Sequence, residues 1–167
     1  DADFLHHVEK TFLQALDILA GMRREEGLVM YQDMQMRLKD ISEILENIKL
    51  RAPHVVLEYQ KRLSERVKEL TEGYALDDAR LAQEVAIMAD RTDITEEVVR
   101  MNSHIGQFEA LLQSEGTEGR KIDFLLQEMN REINTIGSKV GDVEITRHVI
   151  DVKSELGKLR EQAQNIE

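Results

Sequence analysis

Apolar residues recur along most of this chain at steps of three and four, the spacing that lines side chains along one stripe of a helix. Leu5, Val8, Phe12, Leu16 and Leu19 open the series. Gly21 and the charged stretch Arg23-Arg24-Glu25-Glu26-Gly27 interrupt it. Tyr31, Met34, Leu38, Ile41, Leu45 and Ile48 then form a stripe of strictly alternating three- and four-residue steps. Ala52-Pro53 predicts a break, because proline suits the first turn of a new helix. Val56, Tyr59, Leu63, Val67 and Leu70 carry that next helix to Gly73. Beyond a polar turn at Asp77-Asp78, a shorter helix is marked by Leu81, Val85 and Met88. Asp93 and Glu96 have capping-box spacing at the head of a stripe of Ile94, Val98, Met101, Ile105, Phe108 and Leu112. Glu115-Gly116-Thr117-Glu118-Gly119 reads as a linker. Ile122, Leu125, Leu126, Met129, Ile133 and Ile136 define the helix after it, which Gly141-Asp142 ends. Ile145, Val149, Val152, Leu156, Leu159, Ala163 and Ile166 run to the last residues.

No segment alternates apolar and polar residues over a strand's length, so the expected fold is all-α. Spacing near 3.5 residues suggests coiled-coil-like packing, and short connections favour antiparallel neighbours. The expectation is therefore an antiparallel bundle of long amphipathic helices. It divides into a region of long helical hairpins over 1–114 and a two-helix domain over 119–167.

Composition agrees with this picture. The 167 residues are 41% apolar and 33% charged with only 4% aromatics, the balance of long helices and bundles. The chain has no cysteine, which excludes disulfides and thiolate metal sites and fits a reducing compartment. No stretch approaches the ~18 consecutive apolar residues of a membrane span, and no secretory signal pattern opens the chain. A soluble, cytoplasmic protein with no membrane partner is expected. The first residue is Asp1, already inside a helical pattern, which reads as part of a longer polypeptide. The net charge of −11 opposes a polyanion over the molecule as a whole, so any RNA contact must use a local patch.

The stretch Arg120–Ser138 is the most informative. Projected at about 100° per residue, its apolar stripe leaves Arg120, Phe124, Gln127, Arg131, Asn134 and Ser138 on the opposite side. Asn130, Asn134, Thr135, Gly137 and Ser138 are weak helix formers, each less favourable than alanine by up to ~1 kcal/mol. A helix that carries them uses them for contacts. Arginine forks and carboxamides suit phosphates and base edges, and an exposed phenylalanine stacks on a base. The other reading is packing against a second subunit or against another part of the polypeptide. A second set has metal-binding chemistry. Glu97 and His104 lie two turns apart beside Arg100, Arg80, Glu84 and Arg91 line an edge of the preceding helix, and Glu128 and Glu132 are four residues apart. Oxygen ligands with an occasional histidine suit Mg²⁺ or Mn²⁺, whereas the plain alternative is surface ion pairs. There is no Gly-rich phosphate loop, serine or cysteine nucleophile arrangement, or zinc spacing, so no small-molecule cofactor is expected.

The block Gly119-Arg120-Lys121-Ile122-Asp123-Phe124-Leu125-Leu126-Gln127-Glu128-Met129-Asn130-Arg131-Glu132-Ile133-Asn134-Thr135, with Ser138-Lys139, resembles the YicC family of bacterial proteins. Arg160-Glu161-Gln162-Ala163-Gln164-Asn165-Ile166-Glu167 resembles the family's C-terminus. Met22-Arg23-Arg24-Glu25-Glu26-Gly27 and Ala89-Asp90-Arg91-Thr92-Asp93-Ile94-Thr95-Glu96-Glu97 look like further landmarks. The resemblance implies an endoribonuclease that depends on a divalent metal, Mg²⁺ or Mn²⁺, and cuts single-stranded RNA in bacterial RNA turnover. It also implies a ring-like homo-oligomer, a hexamer, and an N-terminal domain absent from this chain. With the family in view, Arg91, Arg100, Arg120, Phe124, Gln127, Arg131 and Asn134 become the expected RNA-binding residues. Side-chain chemistry makes His104, Glu128 and Glu132 the catalytic candidates and Glu97, His104 and Glu128 the metal candidates. The contrasting expectation is a non-catalytic helical domain that assembles the oligomer. A coiled-coil adaptor for another protein is a third.

Overall fold

The computed structural model describes residues 2–70, 77–114 and 119–164. Among them the chain forms helices and no strand: α1 (Ala2–Leu70), α2 (Asp78–Thr92), α3 (Thr95–Leu112), α4 (Gly119–Lys139) and α5 (Val143–Ala163). The expected all-α class holds. Residues 71–76, most of the expected linker at 115–118, and Ile166 lie outside the described residues. No helix among the described residues is long and apolar enough to cross a membrane.

α1 departs from expectation in running unbroken through Gly21, Gly27 and Pro53. An interior proline removes one backbone hydrogen bond and crowds the preceding turn, at a cost of ~3 kcal/mol. Contacts on both sides of Pro53 offset it. Val55 is buried, and Arg51 reaches across the proline turn to Glu58 at 2.6 and 3.0 Å while also gripping Asp142 at 2.8 Å. The expected break therefore fails because tertiary contacts outweigh a local preference.

The chain divides into two compact units, Asp1–Met36 and Arg37–Glu167. In the first, α1 bears an apolar series that faces solvent: Leu5, Val8, Phe12, Leu16 and Leu19 are all exposed. In the second, Leu38, Ile41, Leu45 and Ile48 of α1 are buried along with the described stripes of α3, α4 and α5, save for half-buried Leu112 at the end of α3. The predicted core stripes of α4 and α5 are buried throughout their described length.

Side-chain pairs give the helix directions. Arg100 meets Glu132 and Lys139 meets Glu97, so α3 and α4 run antiparallel. Arg160 meets Asp123, which reverses α5 against α4. Arg37 meets Glu155 and Arg51 meets Asp142, which runs α1 opposite to α5. Asp142 also caps α5, accepting from the amides of Glu144 and Ile145 at 3.1 and 3.0 Å. Gly137 has a packing role: a Cβ built there would lie 3.2 Å from a methyl of Val149. Part of what reads as contact chemistry in that helix is thus close approach between α4 and α5.

Candidate functional site

The first turns of α3 lie beside the last turns of α4, which brings distant acidic and basic residues together. Asp93 begins the arrangement. Its carboxylate accepts from the Thr95 amide at 2.9 Å and the Thr95 hydroxyl at 2.6 Å. Those hydrogen bonds, the hydroxyl first, hold the Asp93 carboxyl below the usual carboxylate range. The expected reciprocal capping box is replaced by this turn, while Glu96 pairs with Arg100 one helical turn on.

Glu97 and Glu132 are the buried carboxylates of the interface, with side chains only 4% and 5% exposed. A buried charge requires a partner, and the facing helix supplies one for each. Lys139 Nζ lies 2.8 Å from Glu97 Oε1 and donates to the Asp93 carbonyl at 2.9 Å. Arg100 Nε lies 2.9 Å from Glu132 Oε2, and Arg100 Nη2 lies 3.4 Å from Glu97 Oε1. At 2.9 Å the Arg100–Glu132 pair is close, yet the N–H does not point along the line to the oxygen. Both atoms are left without a hydrogen bond. Glu132, then Glu96 and Glu97, raises the pKa of Arg100 above the ordinary guanidinium value.

One turn further along, His104 on α3 meets Glu128 and Glu132 on α4. Each offers one ligand atom, and the three atoms lie within 4.8 Å of one another. His104 and Glu128 are half-buried and Glu132 is buried. Glu97 Oε2, Arg100 Nε, Glu132 Oε2 and His104 Nδ1 are buried polar atoms without a hydrogen-bond partner. Native interiors leave few such atoms; Arg100 Nε and Glu132 Oε2 answer each other as an ion pair at 2.9 Å, while Glu97 Oε2 and His104 Nδ1 are left without a partner. The donor set suits Mg²⁺ or Mn²⁺: two carboxylates and an imidazole nitrogen, with no sulfur.

The structure therefore joins His104, Glu128 and Glu132, while Glu97 stands a turn or two away on Lys139 and Arg100. Lys139 is the group the sequence reading undervalued. It was legible only through register: antiparallel pairing of residue 104 with 128 and 100 with 132 sets the end of α4 against residue 97.

Most of the residues read as an RNA face share α4 with Glu128 and Glu132. Arg120, Gln127, Arg131 and Asn134 are exposed, and Phe124 is 59% exposed. Gln127 donates to Asp123 at 2.6 Å. Arg131 leans toward Glu128 at 3.9 Å and so joins the face to the acidic cluster. Arg100 is two-fifths exposed and sits inside the cluster rather than on that face. Arg91 is exposed in the last turn of α2. Thr135 and Ser138 turn their hydroxyls back to the carbonyls of Arg131 and Thr135.

Residues 48–167 match the family described as Endoribonuclease YicC-like, C-terminal. The chain is 51% identical over 154 residues to the Probable endoribonuclease YicC of Clostridioides difficile (strain 630), a match spanning 92% of this chain and 53% of that protein. It is 33% identical over 167 residues to the Probable endoribonuclease YicC of Haemophilus influenzae, spanning 98% of this chain and 58% of the relative. The chain thus spans little more than half the length of these curated relatives. The family match contains α2 to α5 entire, with the block Gly119–Lys139 that carries the resemblance in sequence. On that match and that identity, the chain belongs to the YicC-like endoribonuclease family.

Proposed function

We propose that this chain is the metal-holding, RNA-binding helical part of an endoribonuclease that cuts single-stranded RNA in the bacterial cytoplasm. The observation that carries the reading is the convergence of His104, Glu128 and buried Glu132, with His104 Nδ1 and Glu132 Oε2 lacking hydrogen-bond partners. A divalent ion there, Mg²⁺ or Mn²⁺, would supply Lewis-acid polarisation of a phosphate and a more acidic bound water. Whichever of His104, Glu128 and Glu132 is free of the ion accepts the proton of the attacking water or 2′-hydroxyl. Arg131 lies at the edge of the cluster, where its fork meets phosphate charge as it builds in the transition state. Phe124 stacks on an unpaired base, while Arg120, Gln127 and Asn134 contact the strand beside it. Arg91 extends the basic path from α2.

The test is cleavage of a labelled single-stranded RNA by this chain and by a chain of the relatives' full length, each with Mn²⁺, Mg²⁺ or EDTA. Cleavage that EDTA abolishes and that Glu132→Gln lowers at least ~100-fold is expected, in the range of lost electrostatic stabilisation. Undiminished cleavage by Glu132→Gln, or in EDTA, would remove the cluster from the reaction.

The exposed apolar series from Phe4 to Val29 favours a further role in assembly. In this second reading the series pairs with other copies of the chain in a homo-oligomer, a hexamer by family resemblance. Native mass spectrometry should find a multiple of the 19.3 kDa chain, reduced by Leu16→Asp. A monomer in both proteins would rule this reading out.

A further inference from the structure

Arg100 is placed between two roles. Its guanidinium lies near Glu96, Glu97 and Glu132, and the last of these also belongs to the His104–Glu128–Glu132 cluster. A carboxylate that is 5% exposed cannot stay ionised without a counter-charge. In the structure Arg100 is the cation in contact with it. The contact is imperfect: the pair is 2.9 Å apart, yet neither Arg100 Nε nor Glu132 Oε2 is hydrogen-bonded. The guanidinium also has somewhere else to go. It is two-fifths exposed, and its link to Glu96 tethers it to a carboxylate that is 77% exposed.

We propose that Arg100 is the resident counter-ion of this site and competes with a divalent cation for Glu132. Binding of the dication releases the guanidinium from Glu132, and the freed fork engages an RNA phosphate. The inference rests on the metal reading above and adds a device to it: metal loading and phosphate binding become linked through one side chain. The physical basis is charge. A dication attracts the Glu132 carboxylate about twice as strongly as a guanidinium at equal distance, and it also draws on Glu128 and His104, which Arg100 does not contact in this arrangement. Once released, an arginine held near the surface by Glu96 is in the right chemical form for bidentate phosphate contact. RNA and metal would then strengthen each other's binding, as linkage requires.

The two roles predict opposite results on substitution. If Arg100 merely positions Glu132, removing it weakens metal binding. If it competes, removing it strengthens metal binding. Mn²⁺ binding to the chain would be measured by calorimetry and by the loss of free-Mn²⁺ electron spin resonance signal, without RNA. Arg100→Gln is expected to bind Mn²⁺ about tenfold more tightly than the parent, within the usual range of coupling. Binding of a short single-stranded RNA would then be measured with and without Mn²⁺. The parent should gain roughly 5–150-fold in RNA affinity from the ion, and Arg100→Gln should lose most of that gain.

Equal or weaker Mn²⁺ binding by Arg100→Gln would overturn competition while leaving the metal reading intact. Tighter Mn²⁺ binding with the RNA gain undiminished would overturn the phosphate role. Absence of Mn²⁺ binding by both proteins would defeat the metal reading and this inference together. Helical circular dichroism checks that the variant folds. Should it not, Arg100→Met serves the same test, because an unbranched apolar side chain removes the charge while filling the space of the arginine stem. It too must bind Mn²⁺ more tightly than the parent, or the proposal fails.

Discussion

Two stretches of the same helix carry comparable apolar patterns and meet opposite fates. Between Phe4 and Val29, α1 holds large apolar side chains at helical spacing, and Phe4 is 70% and Phe12 62% exposed. Between Leu38 and Ile48 the same kind of spacing leaves Leu38, Ile41 and Ile48 wholly buried. The later stretch also carries ion pairs to α5, from Arg37 to Glu155 and from Arg51 to Asp142. In the earlier one, the side chains of His7 and Thr11 bond only to carbonyls one turn back. Periodicity therefore announces a face without saying what covers it. Helical propensity alone is a weak force, and most helix stability in proteins comes from packing.

That contrast sets the scale of substitutions. The largest effect is expected at Ile133, fully buried on α4. Ile133→Ala should cost about 2–5 kcal/mol in urea unfolding of the chain, through lost transfer energy and a residual cavity. A loss below ~1 kcal/mol there would mean that α4 is not at the centre of the packed unit.

A smaller effect, and one that depends on pH, is expected at Asp142. Arg51, first among its contacts, holds this carboxyl below the ordinary range, and the capped amides of Ile145 and Glu144 act in the same direction. The folded state thus binds the proton less readily than the unfolded chain. Its stabilisation is present above the unfolded value near 3.9 and is lost as pH falls through the lower folded value. Asp142→Asn should cost about 1–2 kcal/mol near neutral pH, with the difference from the parent closing as the pH drops below ~4. Glu155, lowered by Lys158 and then Arg37, shares this sign and steepens the acid loss of the parent. A penalty independent of pH would show that the charge of Asp142 is not what stabilises the fold, since asparagine keeps the cap.

The smallest effect sharpens the comparison most. Phe12→Ala should change the unfolding free energy of the chain by no more than ~0.5 kcal/mol, as for an exposed position. A loss comparable to that at Ile133 would mean that the exposed series is covered in solution, and would favour the assembly reading.

Much of the fold was legible. Among the described residues the predicted apolar stripes fall on helices or the adjoining cap, and those of α3 to α5 are buried except for half-buried Leu112. The errors were local rules overruled by context. Pro53 reads as a start and Gly21 to Gly27 as an interruption, yet α1 passes through all of them. For the site, the residue types were legible but their grouping was not. His104, Glu128 and Glu132 come together because α3 and α4 are antiparallel and in register. Glu97 stood with His104 in sequence but lies against Lys139 instead. Arg100 reads as a basic residue available to RNA, and the structure places it among three carboxylates.

By itself the sequence determined helicity, the apolar stripes along each helix and the supply of carboxylates, imidazole and guanidinium groups, because these follow from composition and from the 3.6-residue period. Only the tertiary structure decided which of the apolar stripes is covered and which charged residues meet. Both depend on how one helix is set against another, and helical periodicity carries no information about that offset.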